Sequence, residues 1–132
     1  MKKNTGFTSI ELIVVIVILG IIGVVAIPKY YDMSTTSKEN ELKGQLGTIR
    51  SVLSLYYSNQ ALTAGTASYP ATLTGSLFTE GEVPEEPYNS STIVKASASS
   101  PIVIGDFDDD GGWIYDAVLG DVRADIAGKH SL

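Results

Sequence analysis

The stretch GFTSIELIVVIVILGIIGVVAIPKYYDM, residues 6–33, carries a single carboxylate, Glu11, at the head of an otherwise nearly unbroken apolar run. From residue 12 to residue 27 every position is apolar or glycine. Counted from Phe7, the run is roughly twenty residues, the length a helix needs to cross a hydrocarbon core. A secretory signal peptide would follow its apolar region with small residues at a cleavage site, whereas here Pro28, Lys29, Tyr30 and Tyr31 follow. The run is therefore expected to stay on the chain as a membrane anchor. Lys2 and Lys3 precede it, and because basic flanks remain cytoplasmic, everything from Lys29 onward is expected outside the cytoplasm. Within that anchor, Glu11 has no lysine or arginine near it in sequence, so its charge calls for a partner from elsewhere.

The rest of the composition narrows the function. With 132 residues, of which 44% are hydrophobic, one domain with a modest core is expected beside the anchor. A net charge of −6 with only nine scattered lysines and arginines leaves no basic surface for nucleic acid. The chain has no cysteine, which rules out a disulfide framework, a thiolate metal site and a thiol nucleophile.

After Pro28 the pattern becomes amphipathic. Leu42, Leu46, Ile49, Leu53 and Tyr56 recur at alternating steps of four and three, with Val52 and Tyr57 widening the stripe. This predicts a helix over 34–60, continuous with the apolar half over 7–33 and kinked near Pro28, about 80 Å in all at the helical rise per residue. Residues 61–91 are rich in Gly, Pro, Ser and Thr and read as a loop, with one helical turn around Leu77. Tyr69, Leu73, Leu77, Phe78 and Tyr88 are its expected anchors in the core. Residues 92–127 read as a β-sheet: STIVKAS and PIVI as short strands, and GGWIYDAVLGDVRADI as a hairpin turning near Leu119, Gly120 and Asp121. The expected fold is α+β, a long kinked N-terminal helix packed by its apolar stripe on three or four antiparallel strands. Trp113 and Tyr115 alternate into the core, and the tail GKHSL, including His130, is expected to fray.

The opening residues KKNTGFTSIELIVVIVILG, with Pro28 after them, resemble the N-terminus of type IV pilins and of the related pseudopilins of type II secretion. Tyr69-Pro70, PEEPYN at 84–89 and GGWIYDAVLGDVRAD at 111–125 are similar to C-terminal features of the same superfamily. The resemblance implies a pilin fold. It implies that residues 1–6 are a leader, cut between Gly6 and Phe7 by a prepilin peptidase, and that the new Phe7 amine is methylated. It also implies partners: identical subunits, an inner-membrane platform protein and a cytoplasmic assembly ATPase. The freed amine lies one helical turn from Glu11, so the carboxylate can pair with the terminus of its own chain or, in a filament, of a neighbour. Gly20, Gly23 and Pro28 resemble the stretch that loses helical structure in assembled filaments, and glycine and proline suit that behaviour; a plain proline kink is the alternative.

In DFDDDGGW, Asp106, Asp108 and Asp110 followed by Gly111 match the opening of a calcium loop, with Asp116 or Asp121 available to complete the shell. The closing Glu is absent, since Ala117 stands there, so a solvated acidic turn is the competing interpretation. His130 lacks neighbours for a triad or zinc site, and no serine has a general base beside it, so no enzyme is expected. The resemblance thus implies a structural filament subunit that begins in the inner membrane as a single-pass protein and ends in a cell-surface or periplasmic fibre. The alternatives are the major pseudopilin of a type II secretion system and a monomeric membrane-anchored calcium-binding module.

Overall fold

The structure, a computed structural model, describes residues 6–131. One long helix, α1, covers Ser9–Thr63. Three short strands follow, β1 at Val94–Ala96, β2 at Trp113–Asp116 and β3 at Asp121–Ala124. Single turns of 3-10 helix lie at Gly75–Leu77 and Ile104–Asp106. The chain is thus α+β, and it divides into two compact units, one ending at Ser37 and the other starting at Lys38.

The N-terminal unit is helix with no core of its own. Its apolar side chains stand in the open, with Ile21 63% and Val24 75% exposed, so nothing among the described residues pulls this segment out of solvent. Helical assignment runs without a break through Gly20, Gly23 and Pro28, although the proline ring leaves the Val24 carbonyl without an amide donor. Lys2 and Lys3 lie outside the described residues.

The second unit is built on the amphipathic stripe. Leu42, Leu46, Ile49 and Leu53 are buried as the four-three spacing predicts, and Val52 and Tyr56 flank them half-buried. Tyr57 is more exposed than the stripe implied and lies against the Tyr69 ring at 4.6 Å. The helix ends three residues beyond the predicted Gln60, at Thr63.

The sheet has three strands in the order β1-β2-β3. β2 and β3 form the expected antiparallel hairpin, pairing Trp113 with Ala124 and Tyr115 with Val122. The expectation of an all-antiparallel sheet fails at β1, which runs parallel to β2 with Val94 opposite Trp113 and Ala96 opposite Tyr115, so the sheet is mixed. The segment PIVI supplies no strand. Instead, residues 97–112 form the crossover that a parallel pair requires, and within it Ile102 is buried and Ile104–Asp106 makes a helical turn.

Strand alternation sorts the residues by face. Val94, Trp113, Tyr115, Val122 and Ala124 join the helix stripe in one cluster, to which Tyr69, Leu73, Leu77, Phe78 and Tyr88 of the loop also belong, as anticipated. The other face carries Lys95, Ile114 and Arg123 in register. Ile114 is nevertheless fully buried, which makes β2 a central strand covered on both sides. Two polar bonds fix the core: the Trp113 indole N–H donates to the Pro84 carbonyl at 2.8 Å, and the Tyr115 hydroxyl to the Pro70 carbonyl at 2.7 Å. Burial pushes the Tyr115 phenol up to about 12.

The tail is held, contrary to the expected fraying. The Lys129 ammonium donates to Glu39 on α1 at 3.0 Å, while Glu39 also pairs with Lys43 at 3.1 Å. His130 stacks on Phe107 with ring centroids 4.0 Å apart and lies 2.7 Å from the Asp109 carboxylate. These partners lie far away in sequence, so no local pattern announces them.

Candidate functional site

Two groups of residues carry chemistry, and they belong to different units. The first is the start of α1. Thr8 precedes the first helical residue and Glu11 stands three residues after it, the spacing of a capping box. The Thr8 amide and hydroxyl donate to Glu11 Oε2 at 2.8 and 2.7 Å, and the Thr8 hydroxyl accepts the Glu11 amide at 3.4 Å. Two helix-start amides that would otherwise lack partners are thereby satisfied. Glu11 is thus occupied within its own chain, and its negative charge sits at the positive end of the helix dipole. The Thr8-x-x-Glu11 spacing is itself legible in the sequence as a helix-start signature.

Around this start, Phe7 is 84% exposed and forms an apolar surface with Ile10, Glu11, Val14 and Val15. Gly6 precedes the helix, is exposed, and, among the described residues beyond its chain neighbours, has no atom within 4 Å of where a side chain would begin. Gly20 and Gly23 likewise have open space where a Cβ would stand.

The second group is the acidic crossover. The structure does not gather Asp106, Asp108, Asp110, Asp116 and Asp121 into one shell. Asp106 accepts the Val103 amide and the Ser97 hydroxyl, both at 2.9 Å, and those bonds hold its carboxyl below the usual range. Asp116, buried at the end of β2, accepts the Ser100 hydroxyl at 2.7 Å and the Val118 and Leu119 amides at 2.8 and 3.2 Å. Burial opposes its charge, but the three donors win and lower its pKa. It closes the hairpin turn together with Gly120, whose φ of +67° and contact with the Tyr69 ring leave no room for a side chain. Asp121 pairs with Arg123 at 3.0 Å. The Asp110 amide donates to Asp108 at 3.2 Å.

Asp108 is bound by Lys95, thirteen positions away and without a local pattern to announce it, and Lys95 also reaches Asp125 at 2.8 Å. Asp125 is fully buried, and its second oxygen accepts the Asp108 and Asp109 amides at 3.1 and 3.0 Å. Among the described residues, no three histidine, cysteine or carboxylate side chains converge as a metal-binding group. Asp106, Asp116 and Asp121 instead meet separate donors, and only Asp108 and Asp125 share the Lys95 ammonium.

Comparison with family models, with curated proteins and with solved structures finds no match for this chain. The functional interpretation therefore rests on the two sites themselves. By length and composition, α1 contains a stretch long and apolar enough to cross a membrane, none of it buried among the described residues.

Proposed function

We propose that the chain is a structural subunit of a type IV pilus-like filament, with a pilin fold, held in the inner membrane by its N-terminal half-helix until it joins the polymer. One observation carries this reading: an exposed apolar half-helix whose only charged side chain, from residue 7 to residue 28, is Glu11 at its capped end. A surface of that kind needs either lipid or copies of itself around it, because burying apolar area is the dominant drive to association. A prepilin peptidase would cut after the exposed Gly6 and leave a Phe7 amine, later methylated, next to Glu11. In the assembled filament Glu11 exchanges part of its bonding to Thr8 for the amine of an adjoining subunit, which sets the axial register. Gly20, Gly23 and Pro28 supply the weak stretch where the helix yields on packing. The platform protein and assembly ATPase supply the work of extraction.

Two substitutions separate capping from charge pairing. Glu11→Gln retains the capping box, in which Gln serves as well as Glu, but removes the charge. Thr8→Ala removes the cap at a cost of about 1 kcal/mol in helix stability and leaves the charge. Filaments recovered by shearing should disappear with Glu11→Gln and persist with Thr8→Ala, and mass spectrometry of the fibre should find chains beginning at methylated Phe7. Normal fibres from Glu11→Gln, or fibres whose chains retain residues 1–6, would overturn the proposal.

A further inference from the structure

In the second unit, α1 and the loop after it enclose a groove of about 670 Å³. Its floor is apolar: Val83 is buried, and Val52 of α1, Phe78 and Pro84 are half-buried around it. Its rim is acidic, because Glu80, Glu82 and Glu85 also line it and are exposed. The backbone fixes the walls. Gly81 turns the chain with a φ of +80°, and its amide donates to the Phe78 carbonyl at 3.1 Å. Gly75 approaches that turn so closely that a Cβ there would strike the Gly81 carbonyl. Further along, the Trp113 indole holds the Pro84 carbonyl, and the buried Glu86 accepts the Asn89 amide at 3.0 Å. The groove is therefore formed before anything enters it, as binding clefts usually are.

An occupant must bring both positive charge and apolar surface. Among the described residues, none of the three rim glutamates forms an ion pair, whereas the cations are nearly all engaged. Lys43 and Lys129 pair with Glu39, Lys95 with Asp108 and Asp125, and Arg123 with Asp121. Arg50 donates to the Val122 carbonyl at 3.1 Å, and the Lys38 ammonium lies 5.6 Å from the centre of the Tyr88 ring. Among the described residues, that leaves Lys29 as the one lysine or arginine without a partner. It is exposed, and beside it stand Tyr30 and Tyr31, 74% and 79% exposed.

We infer that the groove receives the Lys29-Tyr30-Tyr31 segment of a second copy of the chain. The second copy is at hand on the filament reading, on which this contact rests; the contact adds a surface outside the apolar half-helices. The chemistry fits side chain by side chain. A lysine lays its methylene stem along apolar surface and keeps its ammonium at the wet edge, here against the glutamates. A tyrosine buries its ring while its hydroxyl stays at the rim. Three carboxylates within six consecutive positions repel one another until a cation joins them, and opposite charges that meet in one orientation fix the register between copies.

The chain has no cysteine, so introduced thiols report the contact without background. Full-length chains carrying Lys29→Cys and, on a differently tagged copy, Glu82→Cys are expressed together, and membranes and sheared fibres are oxidised and run on non-reducing gels. A disulfide-linked pair of the two differently tagged chains should form. Asp110→Cys, exposed but outside the groove, should give little with Lys29→Cys. Charge exchange gives a second readout. Lys29→Glu alone, or Glu80→Lys with Glu82→Lys, should lower the yield of fibres about tenfold or more, since like charges facing each other at an interface are strongly disfavoured, and all three together should recover most of the loss. Melting followed by the fluorescence of Trp113, the chain's single tryptophan, in detergent micelles checks that each variant folds. Linked pairs in membranes that yield no fibres would leave the contact standing and overturn the filament reading. Fibres without linked pairs would overturn the contact alone. Linking to Asp110→Cys as strong as to Glu82→Cys, or a combined exchange no better than its parts, would overturn it too, and the lack of both fibres and linked pairs would overturn both readings.

Discussion

Leu46→Ala tests whether the second unit is held by the helix stripe. Leu46 is 1% exposed and lies between Leu42 and Ile49, both fully buried, in the cluster that includes Trp113 and Val122. Truncation removes three carbons, worth about 2 kcal/mol in transfer alone at roughly 0.8 kcal/mol per methylene. A helix backbone fixed by its own hydrogen bonds on either side collapses little into the gap, so a cavity penalty is added, and the total is about 3 kcal/mol. For a unit of this size, that corresponds to a fall in Tm of roughly 12–20 °C. The assay is the Trp113 fluorescence melt in detergent, with Leu55→Ala as control, since Leu55 lies on the same helix but is 72% exposed. The control should shift by less than about 0.5 kcal/mol. If the two variants melt together, or Leu46→Ala costs below about 1 kcal/mol, the stripe is not the core and the placement of the sheet against it is wrong.

Three further outcomes are expected. Gly44→Ala and Gly47→Ala lie on the exposed face of α1 with open space at the Cβ position, so each should stabilise the second unit by about 0.5–1 kcal/mol, read as a higher denaturant midpoint. Asp108 is held below its ordinary 3.8, at about 2, so the stability it contributes is complete above pH 4 or so and is lost as pH falls towards 2; an acid titration of the Trp113 signal should show this loss, and Asp108→Asn should flatten it. Tyr115→Phe removes the hydroxyl that satisfies the buried Pro70 carbonyl and should cost about 1–3 kcal/mol. The same substitution should delete the tyrosine that ionises near 12 from an ultraviolet titration, because burial holds that phenol protonated.

The parts legible in the sequence were those set by local periodicity. The four-three spacing of Leu42, Leu46, Ile49 and Leu53 can bury one face of a helix and no strand, and the hairpin from Trp113 to Ala124 follows from alternation broken by Gly120. The direction of β1 was not legible, because Val94 to Ala96 look the same whether they pair parallel or antiparallel; only the crossover over 97–112 decides it. The candidate site divides the same way. The Thr8–Glu11 cap is a three-residue interval that a helix-start pattern could have found. Lys95 and Asp125 are thirty positions apart and meet only because β1 and the residues after β3 flank the same central strand. His130 and Lys129 are held by Asp109 and Glu39, partners no nearby residue advertises.

The bare, greasy surface of the first half of α1 also constrains how copies of the chain can be supplied. An apolar surface of that extent favours burial against lipid or protein over exposure to water. On the filament function proposed above, growth and shrinkage would proceed by hand-over at the bilayer, one subunit passing sideways from lipid tails to protein neighbours. The rate of such growth would follow how crowded the chain is in the plane of the membrane, and diluting the surrounding medium would leave it unchanged.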